Sequence, residues 1–230
     1  MFVPLPTRRT TGIRWATPLV FAVLWVAYLW VSTRPEATRA ALVLEWGALT
    51  GGDHPGDLFA QLASSRRGIR LFTAMLLHAD WVHLLGNLVF LLIFGLPAER
   101  VMGAWRFLLL FLLGGAFANL VAVFVIQAPA RLVIGASGAV SAVIGAYLLL
   151  FPRAKLGLVL PLGLFLEFVR APASLMIGAW AALQVVFAYI GPAFGATAWI
   201  VHIVGFLFGV LFAIFARASI ARRLRRSRGY

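Results

Sequence analysis

The chain has no cysteine and only seven acidic residues among 230. Without cysteine it can build neither a disulfide framework nor a thiolate metal site. Charged residues make up 12% of the sequence against 63% hydrophobic, which leaves too little polar surface for even a small soluble domain. There is no HExxH segment, and His78 and His83 stand five residues apart, on different faces of any helix that holds them. These gaps argue against a metal mechanism, and no cofactor is required. No inverted repeat of the transporter kind is visible, and the short glycine-rich stretch 136–151 has no counterpart in the other half of the chain.

What the chain does have is apolar length. A mean hydropathy of +0.98 describes a multi-pass membrane protein. A hydrocarbon core of ~30 Å takes about 20 apolar residues per helix, so the length allows roughly six spans in one domain. Apolar runs place them near 15–33, 71–95, 105–127, 136–151, 174–190 and 197–216. The first run comes too late, and is too long and tryptophan-rich, for a cleaved signal peptide.

Six spans put both termini on one side of the membrane. With the N-terminus cytoplasmic, fourteen of the 20 basic residues fall in inside segments, among them Arg8, Arg9, Arg100, Arg106, Arg153 and the run from Arg217 to Arg228. The net charge of +13 is then a matter of topology and anionic lipid, not of nucleic-acid binding. This divides the chain into a cytoplasmic segment 1–14, a membrane domain 15–216 and a basic cytoplasmic tail 217–230. The connection from Arg34 to Arg70 mixes glycine and proline with Leu44, Trp46, Leu58 and Phe59, as a partly ordered loop resting on the interface does. Leu156 to Phe168 is apolar but short and contains Pro161, so it is expected to be an inside interfacial or re-entrant piece, not a seventh span.

Three short pieces within this apolar sequence carry chemistry: His83 to Asn87 (HLLGN), Gly135 to Gly138 (GASG) and His202 to Gly209 (HIVGFLFG). A helix opening at Gly138 leaves free N–H groups beside the Ser137 oxygen, the outline of an oxyanion site. Small residues at 136–146 also suit close helix packing, so a nucleophilic Ser137 needs a base. Positions 202, 205, 206 and 209 share one helix stripe, with His202 at the outer end of a Gly205–Gly209 face. If that face meets 138, 142 and 146, the histidine meets the serine. A buried ionisable residue in a membrane points to function first.

His83 and Asn87 lie four apart on one helix face and both can donate hydrogen bonds, either to a developing oxyanion or simply to a neighbouring helix. No carboxylate lies near the outside ends of the fourth and sixth spans, so the serine would be activated by histidine alone, as a dyad. Glu99, Asp80 and His78 are weaker candidates.

The combination resembles the rhomboid family of intramembrane serine proteases over most of the chain from Trp46 to Ala216. The matching pieces are WGAL from Trp46, RLFTAMLLHADWVHLLGN from Arg70 to Asn87, Phe94-Gly95, ERVMG from Glu99 to Gly103, GASG from Gly135, Trp180 with Gln184, and HIVG from His202. The resemblance implies an all-α polytopic fold, a six-helix rhomboid core with a half-embedded loop between the first two helices, and a gate formed by the fifth helix and the outer loop. It implies Ser137 as nucleophile, His202 as general base, and His83, Asn87 and the Ser137 amide as the oxyanion hole. Its substrates would be transmembrane proteins in the bilayer, favoured where glycine or proline weakens the helix. Two positions depart from the family pattern: Ile69 stands where a tryptophan often precedes the arginine, and Ser141 where some members set a tyrosine against the histidine. The runner-up is a rhomboid-like pseudoprotease that binds or chaperones membrane clients, a role needing neither Ser137 nor His202. A transporter ranks third.

Overall fold

The computed structural model describes residues 14–50, 66–126, 131–162, 165–190 and 196–226. Within them the chain is mostly helical. Helix α1 (Ala16–Ser32) is followed by α2 (Glu36–Trp46), a two-residue strand β1 (Ala48–Leu49) and α3 (Arg66–Thr73). A tight turn, Ala74–Leu76, leads to α4 (Trp81–Phe90), which continues through a π-helical turn, Leu91–Gly95, into α5 (Leu96–Met102). Then come α6 (Ala104–Val125), β2 (Leu132–Val133), α7 (Ser137–Leu150), β3 (Lys155–Leu162), β4 (Phe165–Pro172), α8 (Ala173–Ile190) and α9 (Ala196–Arg226).

The second apolar run, expected at 71–95, is displaced: the continuous helix runs from Trp81 to Met102. Its start is set by Asp80, whose carboxylate accepts the His83 backbone N–H at 2.8 Å, a side-chain cap that fixes the first turn. Pro97 would break the α-helical ladder, and the π-turn just before it absorbs the mismatch. The far end moves outward because Glu99 does not meet lipid. Its carboxylate is buried and accepts the backbone N–H groups of Trp15 and Ala16, both at 2.9 Å, and of Thr17 at 2.8 Å. Three of the four orphan donors at the start of α1 are therefore satisfied by a side chain more than 80 residues away. Gly103, at φ +88°, ends α5.

Helix α7 is the centre of the bundle. Every residue from Gly138 to Tyr147 is buried, and its most extensive packing is against α9 and α6. Glycine makes this approach possible. A Cβ on Gly205 would meet the Gly138 carbonyl, one on Gly209 the Ala142 carbonyl, and one on Gly145 the Phe206 carbonyl, so backbone touches backbone along this seam. The outer faces are apolar, with Leu109 and Leu113 of α6 and Leu211 and Phe215 of α9 all exposed. Among the described residues, three helices are long and apolar enough to cross a membrane, Trp81–Met102, Ala104–Val125 and Trp199–Arg225, and shorter apolar helices include α1 and α7. The protein is a multi-pass membrane protein.

The all-α expectation needs one correction. Residues 155–162 and 165–172 pair as antiparallel strands, with Lys155 opposite Pro172 and Leu162 opposite Phe165. Pro161 and Gly157 weaken any helix there, and a hairpin lets the segment satisfy backbone groups internally at a membrane boundary. A two-stranded ribbon tolerates the proline because each strand has a free edge. The long connection after α1 is ordered as α2, β1 and α3; its residues 51–65 lie outside the described part. Helix α9 also runs past the expected span end at 216 to Arg226.

Candidate active site

Ser137 is delivered to the head of α7 by a short segment that is tied down at every step. The bridge between β1 and β2 pairs Ala48 with Val133 and Leu49 with Leu132. The Arg131 N–H donates to the Thr50 hydroxyl and the Thr50 N–H to the Arg131 carbonyl, both at 2.8 Å. Next, the Gly135 N–H donates to the Ala74 carbonyl at 2.9 Å. Gly135 itself sits at φ +110°, and a Cβ there would meet the His83 ring at 2.7 Å, so glycine is demanded twice over. The Ala136 N–H then approaches His78 Nε2 at 3.4 Å. Burial, and after it the adjacent His83, pushes the His78 imidazole down to about 4, which keeps it neutral and able to accept. Ser137 is the first residue of α7, and its N–H and that of Gly138, in the opening turn, have no intrahelical carbonyl.

Ser137, His202, His83 and Asn87 line one cavity of about 460 Å³, together with Trp180 and apolar residues including Phe90, Val140 and Ile144. His83 and Asn87 share a face of α4, as their spacing requires. The Asn87 Nδ2 group is buried and has no hydrogen-bond partner among the described residues. Such a donor is costly to leave unmade. Among the described residues, no neighbouring helix takes a hydrogen bond from it. His202 lies on the α9 face that runs through Gly205, where α9 touches α7 at Gly138. The Trp180 ring of α8 lies 6.0 Å from the His202 ring at 37°, and also 6.2 Å from Phe206.

Of the weaker candidates, Asp80 and Glu99 serve as helix caps and neither lines the cavity. His78 stays behind the wall, edge to face with His83 at 5.1 Å. Sequence reasoning had no account of its hold on the Ala136 amide. It also missed Trp180 as the neighbour of His202, since nothing in local periodicity reports a contact between α8 and α9. Ser141, one turn after Ser137, directs its hydroxyl back to the Ser137 carbonyl at 2.7 Å.

A bundle of apolar helices around one buried helix, with polar side chains gathered at its head beside a cavity, defines an integral membrane protein with an internal site. The family model described as Rhomboid domain matches residues 65–219, and the chain belongs to the rhomboid family. Two relatives are similar. "Putative rhomboid protease YdcA" of Bacillus subtilis (strain 168) is 38% identical over 79 residues, 34% of this chain and 39% of that one. "RHOMBOID-like protein 5" of Arabidopsis thaliana is 25% identical over 165 residues, 64% of this chain and 52% of that one. The chain thus spans about two fifths and about half of these relatives' lengths.

Proposed function

We propose that the chain is an intramembrane serine endopeptidase that hydrolyses peptide bonds in or near the transmembrane segments of other membrane proteins. The observation that carries this reading is the Asn87 Nδ2 group, without a hydrogen-bond partner among the described residues, in the same cavity as Ser137, His202 and His83. An acyl-transfer site needs a nucleophile, a base and donors fixed before charge develops, and these four residues supply all three. In this reading Ser137 Oγ attacks the scissile carbonyl carbon while His202 takes its proton. The tetrahedral oxyanion accepts from Asn87, His83 and the Ser137 N–H. Collapse breaks the C–N bond, and His202 returns the proton to the leaving amine, leaving an acyl-Ser137 ester. A water deprotonated by His202 then cleaves the ester and frees the second product.

The length of α7 supports access to water. Fourteen residues span roughly 21 Å, short of a ~30 Å hydrocarbon core, so a helix anchored at one membrane face opens its N-terminus in a recess below the other. The wider proposal is a core of six spans over 15–216, both termini cytoplasmic, in a bacterial plasma membrane. A substrate segment must give up helical hydrogen bonds to reach Ser137, which favours sequences with glycine or proline.

The test is cleavage of a generic transmembrane substrate by detergent-purified protein. Ser137→Ala and His202→Ala should each abolish it, and the double variant should be no worse, because one catalytic unit is being removed. A fluorophosphonate probe should label the parent and not Ser137→Ala. Substantial cleavage by Ser137→Ala would refute the protease reading, and no cleavage or labelling by the parent would favour a client-binding pseudoprotease.

A further inference from the structure

At the end of the bundle opposite Ser137 and His202 lies a second concavity, an open notch of about 530 Å³ lined by Arg106, Ser219, Arg222 and Arg223. None of its lining residues is acidic. Among the described residues the closest carboxylate in sequence, Glu99, has its oxygens occupied by the α1 amides. Three guanidiniums thus share one notch with no carboxylate among its lining residues, an arrangement that repels itself until an anion enters.

The notch is built into the fold. Arg223 Nη1 donates to the Arg100 and Val101 carbonyls, both at 3.2 Å, at the C-terminal end of α5, where a cation also meets the negative end of the helix dipole. Its guanidinium lies over Gly103, where a Cβ would stand 2.9 Å from Nε. Arg106 Nη1 donates to the Met102 carbonyl at 3.1 Å. The Ser219 hydroxyl donates to the Ala216 carbonyl at 2.8 Å. The part of α9 that carries Ser219, Arg222 and Arg223 is docked through buried Ile220 and Leu224, so these side chains project from a fixed surface.

The depth of the notch identifies the anion. Trp105, next to Arg106, is 72% exposed and stands edge to face with Trp15 at 5.1 Å, and paired tryptophans mark the membrane–water interface. On α9 the last strongly exposed apolar residue is Phe215 and the first arginine after it is Arg217. The backbones of Ser219 and Arg223 follow Phe215 by roughly 6 and 12 Å along the helix, and arginine side chains lean back toward the helix N-terminus, which brings the guanidiniums to the level of lipid headgroups, about 5–8 Å outside the hydrocarbon core. A headgroup phosphate held there leaves its acyl chains beside Phe215 and Trp105.

We infer that the notch of Arg106, Arg222 and Arg223 binds the phosphate headgroup of an anionic phospholipid. Guanidiniums pair with phosphate oxygens in forked, charge-assisted bonds, and a zwitterionic headgroup would bring its own cation against them. The site is separate from the catalytic reading and survives its failure.

The test uses the full chain purified in detergent. Phosphatidylglycerol, phosphatidylcholine with the same acyl chains, and inorganic phosphate are each titrated, with retained lipid read by native mass spectrometry and stabilisation by melting temperature. Phosphatidylglycerol should be retained and raise the melting temperature, and phosphatidylcholine should do neither. Arg222→Gln, at an exposed residue whose removal leaves the packing intact, should weaken retention about tenfold, the loss of one charge-assisted contact, and Arg106→Gln likewise. Arg225→Gln, adjacent but outside the notch, should retain lipid as the parent does. Equal losses for Arg225→Gln and Arg222→Gln would reduce the effect to diffuse charge and overturn the site. Equal retention of both lipids would overturn it too. If inorganic phosphate at millimolar concentration gives the same stabilisation and displaces the lipid, the lipid assignment falls in favour of a free phosphate.

Discussion

At the scale of single residues, the side chain that says most is Asn87. A buried amide that held two helices together would have its partner in the resting protein, and the Nδ2 of Asn87 has none among the described residues. In the proposed mechanism it is an oxyanion donor, whose acceptor is a charge that exists only during reaction. Asn87→Ala and His83→Ala should therefore each lower turnover by roughly a hundredfold while the melting temperature changes little. Were they structural glue, stability would fall instead, by about 0.6 kcal/mol per lost interhelical bond. Turnover and melting measured on the same samples decide between the two. His202 presents a related case. Ser141, where some relatives set a tyrosine, turns its hydroxyl to the backbone, and the aromatic ring beside His202 is Trp180, from a different helix.

At the scale of elements, the seam between α7 and α9 sets the distance between serine and histidine. Gly209 lies against the Ala142 carbonyl and backbone, where no flexible side chain can yield. Gly209→Val should destabilise the protein by about 1–3 kcal/mol, read as a drop in detergent melting temperature, and cleavage should fall with it. Gly178→Ala on α8, where a Cβ would meet open space, should leave both unchanged. This seam was legible in the sequence because a stripe at 202, 205 and 209 is a property of one helix. The four cavity residues were legible for a similar reason, each lying in a short local motif. The second span was misplaced by ten residues at its start because the apolar run opens right after Arg70 and takes in Asp80, and it was cut short at its end because Glu99 reads as a charge, which normally closes a span. Their roles as caps depend on partners, at His83 for one and beyond 80 residues for the other. The hairpin at 155–172 was passed over although Leu156, Leu158, Leu160 and Leu162 alternate with Gly157, Val159 and Pro161, the period of a strand, because a short apolar run broken by proline also fits an interfacial or re-entrant piece.

At the scale of the whole molecule, the absence of cysteine makes the proposed topology easy to test. Single cysteines at Gly52 and Ala193 should react with an impermeant thiol reagent from outside the cell, and one at Ser227 should not. Labelling at 227 from outside would reverse the C-terminus and refute the six-span arrangement. Glu99 bears on how such a bundle comes into being. Helix α1 is synthesised before α5, yet the carboxylate that accepts its leading amides lies 82 to 84 residues downstream. Until that residue leaves the ribosome and its helix inserts, the head of α1 must keep those amides solvated at the membrane surface. Helix α1 is thus locked only after α5 arrives, and its final depth in the bilayer is set by that later helix.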